Sequence, residues 1–277
     1  NKFKSKVWGL TYNPTHMAGL QVFFQALMNE STIVNLYKMP PNTIFKMIED
    51  FGITHLSGTP TFYRLLLGSS QVAHGVEQAT FGGEKSSPQL YERVSIMFPK
   101  AKISNIYAST EAGTLLRSEG DVFSIPLKFQ GQLKIVDNEL FIHKTILGVG
   151  NFKVDEWFAT GDKVEFVSED LSRFRFIGRE TDMINVGGYK VNPNEVEAVL
   201  RTIQGIRDCR VYSKPNSVLG SVLCADIVLL GSKLTEVEIK NRLNQKLVKY
   251  KIPRKIVFKE KLELSRNGKL IRKDVKR

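Results

Sequence analysis

Residues 78–111 read QATFGGEKSSPQLYERVSIMFPKAKISNIYASTE, and the way apolar and turn-forming residues alternate there decides the fold. Gln78 to Phe81 is a short apolar strand. Ser87-Pro88 is a helix start, a hydroxyl cap followed by the residue best suited to the first helical position. Leu90, Val94 and Met97 then share one helical stripe, and Ile103 to Tyr107 is a second strand. Two strands joined by a helix of this length run parallel, at least in part, with helices covering the sheet, so the fold class is α/β. The same alternation holds upstream. Asn42 is placed to cap a helix carrying Ile44, Phe45, Ile48 and Phe51 that Gly52 ends; a strand covers Ile53 to Leu56, and Pro60 opens a helix through Leu67. The aromatics Phe23, Phe24, Phe45 and Phe51 fall at helical spacing and are expected in the core. Sheets of this kind bind ligands in loops at the carboxyl ends of their strands, which directs the search to the loops after Phe81 and Tyr107.

Working outward, the text changes at about Gly131. Gln132 to Val136 and Glu139 to His143 flank Asp137-Asn138 as a hairpin, and Lys163 to Val167 pairs with Arg173 to Ile177 across a short turn. After Gly178 a third style begins: a helix capped by Asn192 and running to Ile203, strands near Cys209 to Tyr212 and Ser221 to Leu230, and a helix capped by Thr235 that runs to Val248. The expected organisation is an α/β part over residues 1–130, an antiparallel β subdomain over 131–181, and an α+β C-terminal domain over 182–277, with the boundary at about Glu180 to Asp182.

A length of 277 residues suits about two domains, and 42% hydrophobic with 25% charged residues is ordinary globular usage. Cys209 and Cys224 stand in apolar strand-like text without metal-ligand or redox spacing, so reduced core cysteines of a cytoplasmic protein are expected. There is no apolar run of the roughly 18 residues a membrane span needs. The net charge is +12, but 16 Lys/Arg against 5 Asp/Glu fall from Lys233 to Arg277, so nearly the whole excess belongs to that end. A basic module beside a near-neutral body suits an element that closes over an anion such as a nucleotide or phosphopantetheine. A nucleic-acid partner is not expected, since aromatic and recognition-helix signatures are missing.

Four segments carry chemistry. Tyr107-Ala108-Ser109-Thr110-Glu111 follows a strand and offers a hydroxyl for a phosphate and a carboxylate for Mg²⁺ on ATP oxygens. Trp157 to Asp162 ends in a lone acid able to accept both hydroxyls of a ribose, although Gly-Asp before a strand is also an ordinary turn. Phe176 to Val191 is rich in polar residues and glycines that let a backbone approach a ligand. Asn267-Gly268-Lys269 puts a lysine on a loop of the basic module.

In this order and spacing the four segments resemble the adenylate-forming superfamily of acyl-CoA synthetases, luciferases and adenylation domains. The resemblance begins at Tyr12-Asn13-Pro14-Thr15-His16-Met17-Ala18-Gly19, similar to the family's histidine motif, and includes Phe81-Gly82-Gly83-Glu84, similar to its adenine turn. It implies an AMP-forming acid–thiol ligase that uses ATP, Mg²⁺ and coenzyme A, or a carrier-protein phosphopantetheine in place of coenzyme A. Thr110 would contact phosphate, Glu111 magnesium, Asp162 the ribose hydroxyls, and Arg179 the ribose or phosphate, while Gly82, Gly83, Glu84 and Tyr107 frame adenine. His16 and Ala108 would border the acyl pocket. Lys269 would stabilise the charge of the first half-reaction, Asp182 would be the hinge of a mobile C-terminal lid, and Gly187, Gly188 and Tyr189 would line the pantetheine tunnel.

Within that resemblance the segment from Glu111 to Leu140 is similar to short o-succinylbenzoate-CoA ligases. Ala108 stands where many members carry glycine, and Leu264-Ser265-Arg266 where a proline is common before the lysine loop. The family's Ser/Thr/Gly-rich phosphate loop is not among the 277 residues. The expectation is therefore a C-terminal portion that does not adenylate alone, with a noncatalytic nucleotide-binding remnant as the alternative.

Overall fold

The structure, a computed structural model, describes residues 6–150, 154–216, 220–231 and 233–265. The chain divides into two compact units, with the change-over between Ile177 and Gly178.

The first unit opens with β1 (Val7–Leu10), α1 (Met17–Met28), β2 (Thr32–Asn35), α2 (Pro41–Asp50), β3 (His55–Gly58), α3 (Pro60–Leu66), β4 (Gln78–Gly82), α4 (Pro88–Met97), β5 (Lys102–Ser109) and β6 (Gly113–Ser118). Its strands form one sheet in the order β2-β1-β3-β4-β5-β6. The pairs from β2 to β5 are parallel and β6 closes the edge antiparallel. Ser87 caps α4 through Leu90 N, and Leu90, Val94 and Met97 are its buried residues. A ten-residue helix is marginal alone. Each buried side chain contributes about 2 kcal/mol against about 1 kcal/mol for the cap, so packing rather than capping holds it.

Alternate residues of β1 face opposite ways. Val7 joins the core that α2, α3 and α4 build around Leu56, Ala79 and Phe81, whereas Trp8 and Leu10 pack with Val22 and Ala26 of α1. Of the four aromatics expected inside, only Phe45 is buried; Phe23, Phe24 and Phe51 are 41%, 51% and 55% exposed. The reason lies in α1, which is apolar on nearly every side: its narrow stripe of Gly19, Val22 and Ala26 meets the sheet, leaving the larger rings outside. Phe51 stands at the C-cap of α2, past the last inward-facing turn.

An antiparallel sheet follows, built from β7 (Phe123–Ser124), β8 (Leu133–Val136), β9 (Glu139–His143), β10 (Trp157–Phe166) and β11 (Arg173–Arg179) in the order β7-β11-β10-β9-β8. Its β8–β9 turn is Asp137-Asn138, both at positive φ, 49° and 58°, as a two-residue hairpin requires. The core gathers Leu133, Leu140, Ile142, Val164 and Phe174 with Leu115, Leu116 and Phe123. The sheet thus recruits Phe123–Ser124 from ahead of Gly131, where hairpin text was expected to start.

The second unit holds the hairpin β12 (Ile184–Val186) and β13 (Tyr189–Val191), then α5 (Pro193–Arg201), β14 (Ile206–Asn216), β15 (Gly220–Leu229), α6 (Glu236–Asn244) and β16 (Lys255–Phe258). β14, β15 and β16 form a mixed sheet. Its core joins Val196 and Leu200 of α5 and Ile239 and Leu243 of α6 to Cys209, Val211, Leu223, Ala225 and Ile227. Both cysteines are buried, and neither is in a disulfide. α6 carries a full Thr235–Glu238 capping box but ends at Asn244 rather than Val248, because Lys246 and Leu247 turn back to the Leu243 carbonyl and Val248 is already extended.

Candidate active site

Two strand ends and a mid-strand bulge of the first unit supply most of the expected site. Gly82 closes β4 and pairs with Ile106 of β5, next to Tyr107. A Cβ on Gly82 would lie 3.2 Å from the Tyr12 hydroxyl, so glycine there preserves a close approach. Tyr12 is buried, and burial holds its phenol well above the ordinary range despite a hydrogen bond with Ser57.

The Glu84 side chain reaches α3. One oxygen, Oε2, accepts from Thr61 N at 3.1 Å and Thr61 Oγ1 at 2.6 Å, with Arg64 Nη2 at 3.7 Å. Arg64 Nη2 also donates to Thr61 Oγ1 at 2.6 Å. The carboxylate therefore anchors the glycine turn to the first turn of α3, where helix dipole and cation both favour negative charge.

Tyr107 and Ala108 lie within β5 rather than in a loop after it, and the register shifts between them. Thr110 and Glu111 form the turn into β6, Thr110 exposed and Glu111 half-buried. Ser109 Oγ accepts from Ala112 N at 3.1 Å, and Gly148 N donates to the Glu111 carbonyl at 2.6 Å.

Asp162 reaches this region through a bulge. Pairing of β10 with β9 shifts between Ala159 and Lys163, and Gly161 takes φ 71°. Glu139 Oε1 accepts from Gly161 N at 2.9 Å, Thr160 Oγ1 donates to the Leu140 carbonyl at 2.7 Å, and Asp162 N donates to Thr160 Oγ1 at 3.1 Å. A bulge re-aims one side chain. Here it sends the Asp162 carboxylate to Tyr107, whose hydroxyl donates to Oδ2 at 2.7 Å. The Tyr107 ring stacks on Phe176 of β11, centroids 4.3 Å apart and planes 12° apart. The partners Thr61 and Arg64 were missed from sequence, and Phe176 entered only as the first residue of the Phe176–Val191 segment, without a role of its own.

A groove of about 600 Å³ runs beside α1, lined by Met17, Leu20, Gln21, Phe24, Met28 and Thr114 among others, none of them ionisable. It adjoins the Thr110–Glu111 turn: a Cβ on Gly113 would lie 3.5 Å from Gln21 Nε2. His16 is exposed at the N-cap of α1 and is not among the lining residues.

In the second unit Arg179 and Asp182 are exposed, Asp182 in the 3₁₀ turn Glu180–Asp182. Gly187 and Gly188 make the β12–β13 turn, where Gly188 N donates to Asn185 Oδ1 at 2.9 Å. Tyr189 stacks on Tyr250, centroids 4.4 Å apart, and Lys190 pairs with Glu180. Lys269 lies outside the described residues.

The family model described as AMP-binding enzyme matches residues 2–140, half of the chain, and that of the AMP-binding enzyme C-terminal domain matches residues 195–269. The chain belongs to the AMP-binding enzyme family. Among curated relatives, a putative long chain fatty acid-CoA ligase VraA of Staphylococcus haemolyticus is 27% identical over 78% of this chain and 49% of its own length. A 2-succinylbenzoate–CoA ligase of Staphylococcus epidermidis is 24% identical over 99% of this chain and 61% of its own. The chain thus spans about half to three-fifths of these relatives. The fold matches ATP-bound MatB from Rhodopseudomonas palustris with TM-score 0.76 at 20% identity, covering 96% of this chain and 59% of that one. It also matches o-succinylbenzoate coenzyme A synthetase from Bacillus subtilis in complex with AMP, with TM-score 0.73 at 19% identity, covering 99% and 61%.

Proposed function

We propose that this chain is part of an AMP-forming acid–thiol ligase. In the first half-reaction a carboxylate oxygen attacks the α-phosphorus of ATP and pyrophosphate leaves. In the second a thiol sulfur attacks the acyl carbon, AMP leaves and the thiol proton is released. The observation that carries the reading is the bulge at Gly161, which puts the carboxylate of one sheet onto the strand-end tyrosine of another, beside the Thr110–Glu111 turn. Asp162 accepts the two ribose hydroxyls, adenine lies by Gly82 and Gly83, and the Thr110 hydroxyl donates to a phosphate oxygen. Among the described residues no cluster of three or more His, Cys, Asp or Glu side chains is placed to hold a metal. A lone Glu111 fits Mg²⁺, which keeps most of its oxygens from phosphate and water; the ion would neutralise phosphate charge. Lys269 supplies a preorganised ammonium for charge developing at the α-phosphate, which is electrostatic stabilisation and not base catalysis. Arg179 serves the ribose or phosphate, Asp182 the change between half-reactions, and Gly187, Gly188 and Tyr189 the thiol arm.

The α1 groove, whose lining includes neither Ala108 nor His16, supports an acid with an uncharged apolar tail, held with its carboxyl end toward Thr110. Coenzyme A is the thiol. A carrier-protein phosphopantetheine is the second reading, favoured by 25% identity over 84% of this chain to gramicidin S synthase 2 of Brevibacillus brevis. The enzyme is placed by this reading in the cytoplasm; among the described residues no helix is long and apolar enough to cross a membrane.

Calorimetry with AMP tests the reading. The chain is expected to bind AMP, and Asp162→Ala to weaken binding at least tenfold with an unchanged circular dichroism spectrum, the scale expected for hydrogen bonds to a charged group. Equal affinity of the two proteins removes the ribose assignment. Failure of the folded chain to bind AMP, ATP or a non-hydrolysable acyl-adenylate overturns the function.

A further inference from the structure

Phe176 carries no expected role, yet it touches a ring that links the two sheets of the first unit. It stands on β11, three residues before Arg179, and stacks flat on Tyr107. Its own ring is held from two sides: Phe123 meets it edge-on at 5.4 Å and 71°, and Phe174, two residues back on the same strand face, at 5.7 Å and 81°. Phe174 and Phe123 are 1% and 4% exposed and belong to the antiparallel core. Of the two soft torsions of a tyrosine, the first relocates the hydroxyl, and swinging the Tyr107 ring toward Phe176 meets a parallel neighbour that is itself braced by two rings. The position of the Tyr107 hydroxyl is therefore restrained on that side by a chain of contacts that starts in the core. That hydroxyl is the group that donates to Asp162 Oδ2, while the backbone of Asp162 is fixed from the other side by Thr160 and Glu139.

We propose that Phe176 is a positioning residue of the nucleotide site, holding Tyr107 so that its hydroxyl keeps the Asp162 carboxylate turned for a ribose cis-diol. Phe176 touches no reacting atom; it acts through Tyr107. Two stacked rings contribute about 1 kcal/mol beyond their burial, enough to restrain a rotor, while the charge-assisted bond to Asp162 is the stronger link that the stack keeps aligned. The inference rests on the nucleotide reading above and adds to it a residue that acts only on diol recognition.

The test compares the affinities of the full chain for AMP and for 2′,3′-dideoxy-AMP by calorimetry, beside ¹⁹F spectra of protein labelled with 3-fluorotyrosine. Wild type is expected to prefer AMP by about tenfold or more, the range of hydrogen bonds to a charged acceptor. Phe176→Leu should bring that ratio close to one, leave affinity for the dideoxy nucleotide within about twofold, and move the Tyr107 fluorine signal, assigned by its loss in Tyr107→Phe. Phe176→Tyr, which keeps the stack, should restore both ratio and signal. A folded Phe176→Leu protein that keeps the wild-type ratio, or a Tyr107→Phe protein that does, overturns the inference. Should Phe176→Leu fail to fold, the Tyr107→Phe ratio still decides it. Wild-type protein that binds neither nucleotide overturns the functional reading instead, and the fluorine shift then reports alone on whether Phe176 positions Tyr107.

Discussion

Glu84 follows two glycines, and from sequence it looked like part of an adenine-facing turn. Its carboxylate satisfies the Thr61 amide and hydroxyl and stands against Arg64, the Glu84 and Arg64 side chains being 15% and 12% exposed. The residue type was legible; its direction was not, because Thr61 and Arg64 are brought near only by the parallel pairing of β3 with β4. Glu84→Ala deprives a buried amide and a nearly buried guanidinium of this acceptor, which is expected to cost about 1–3 kcal/mol. Urea unfolding should show that loss, and Glu84→Gln, which keeps an acceptor for Thr61, should recover part of it. Equal midpoints for Glu84→Ala and wild type would mean that the carboxylate anchors nothing. Asp162 differs in kind: its type and its neighbour Gly161 were both visible, while the Tyr107 partner 55 positions away was not.

Elements were most legible where a cap and a stripe agreed. α4 runs from Pro88 to Met97 with Leu90, Val94 and Met97 inward, as its text implies, because Ser87 and Pro88 fix its start and the stripe fixes its face. α1 was less legible: a helix apolar on nearly all sides carries no phase, and the small residues that decide its buried face give a weak signal against six larger apolar ones. β5 outran its reading by two residues, to Ser109, since the partner that extends it is the antiparallel β6 and lies downstream. α6 has little buried surface, only Ile239 and Leu243, and so depends more on its capping box. Thr235→Ala removes the acceptor for Glu238 N and the Thr235 Oγ1–Glu238 Oε2 bond of 2.8 Å. The expected loss is about 1 kcal/mol, with faster amide exchange confined to the first turn of α6. Thr235→Ser should restore it, and uniform acceleration across the second unit would instead place the residue in the global core.

At the scale of the whole molecule, the described buried apolar residues of each unit gather into cores of that unit's own. Ile44, Phe45, Tyr63, Phe81 and Val94 join one cluster of the first unit, and Val196, Leu200, Cys209, Ile227 and Ile239 another within the second. In the sequence a change of style follows Gly178, because hairpins and amphipathic helices write different periodicities, and the boundary was expected at about Glu180 to Asp182. Separate cores imply separate cooperative units. Leu200 is fully buried in the second and Phe81 in the first. Truncation to alanine costs about 2–5 kcal/mol for a buried leucine and about 3–5 kcal/mol for a buried phenylalanine. Calorimetry of the full chain is expected to resolve two transitions, with Leu200→Ala lowering one midpoint and Phe81→Ala the other. A swinging C-terminal unit needs such independence, since a domain that reorients as a body must keep its own core while the hinge turns. One transition that both substitutions lower together would tie the units into a single cooperative block, and would leave Asp182 no motion to serve.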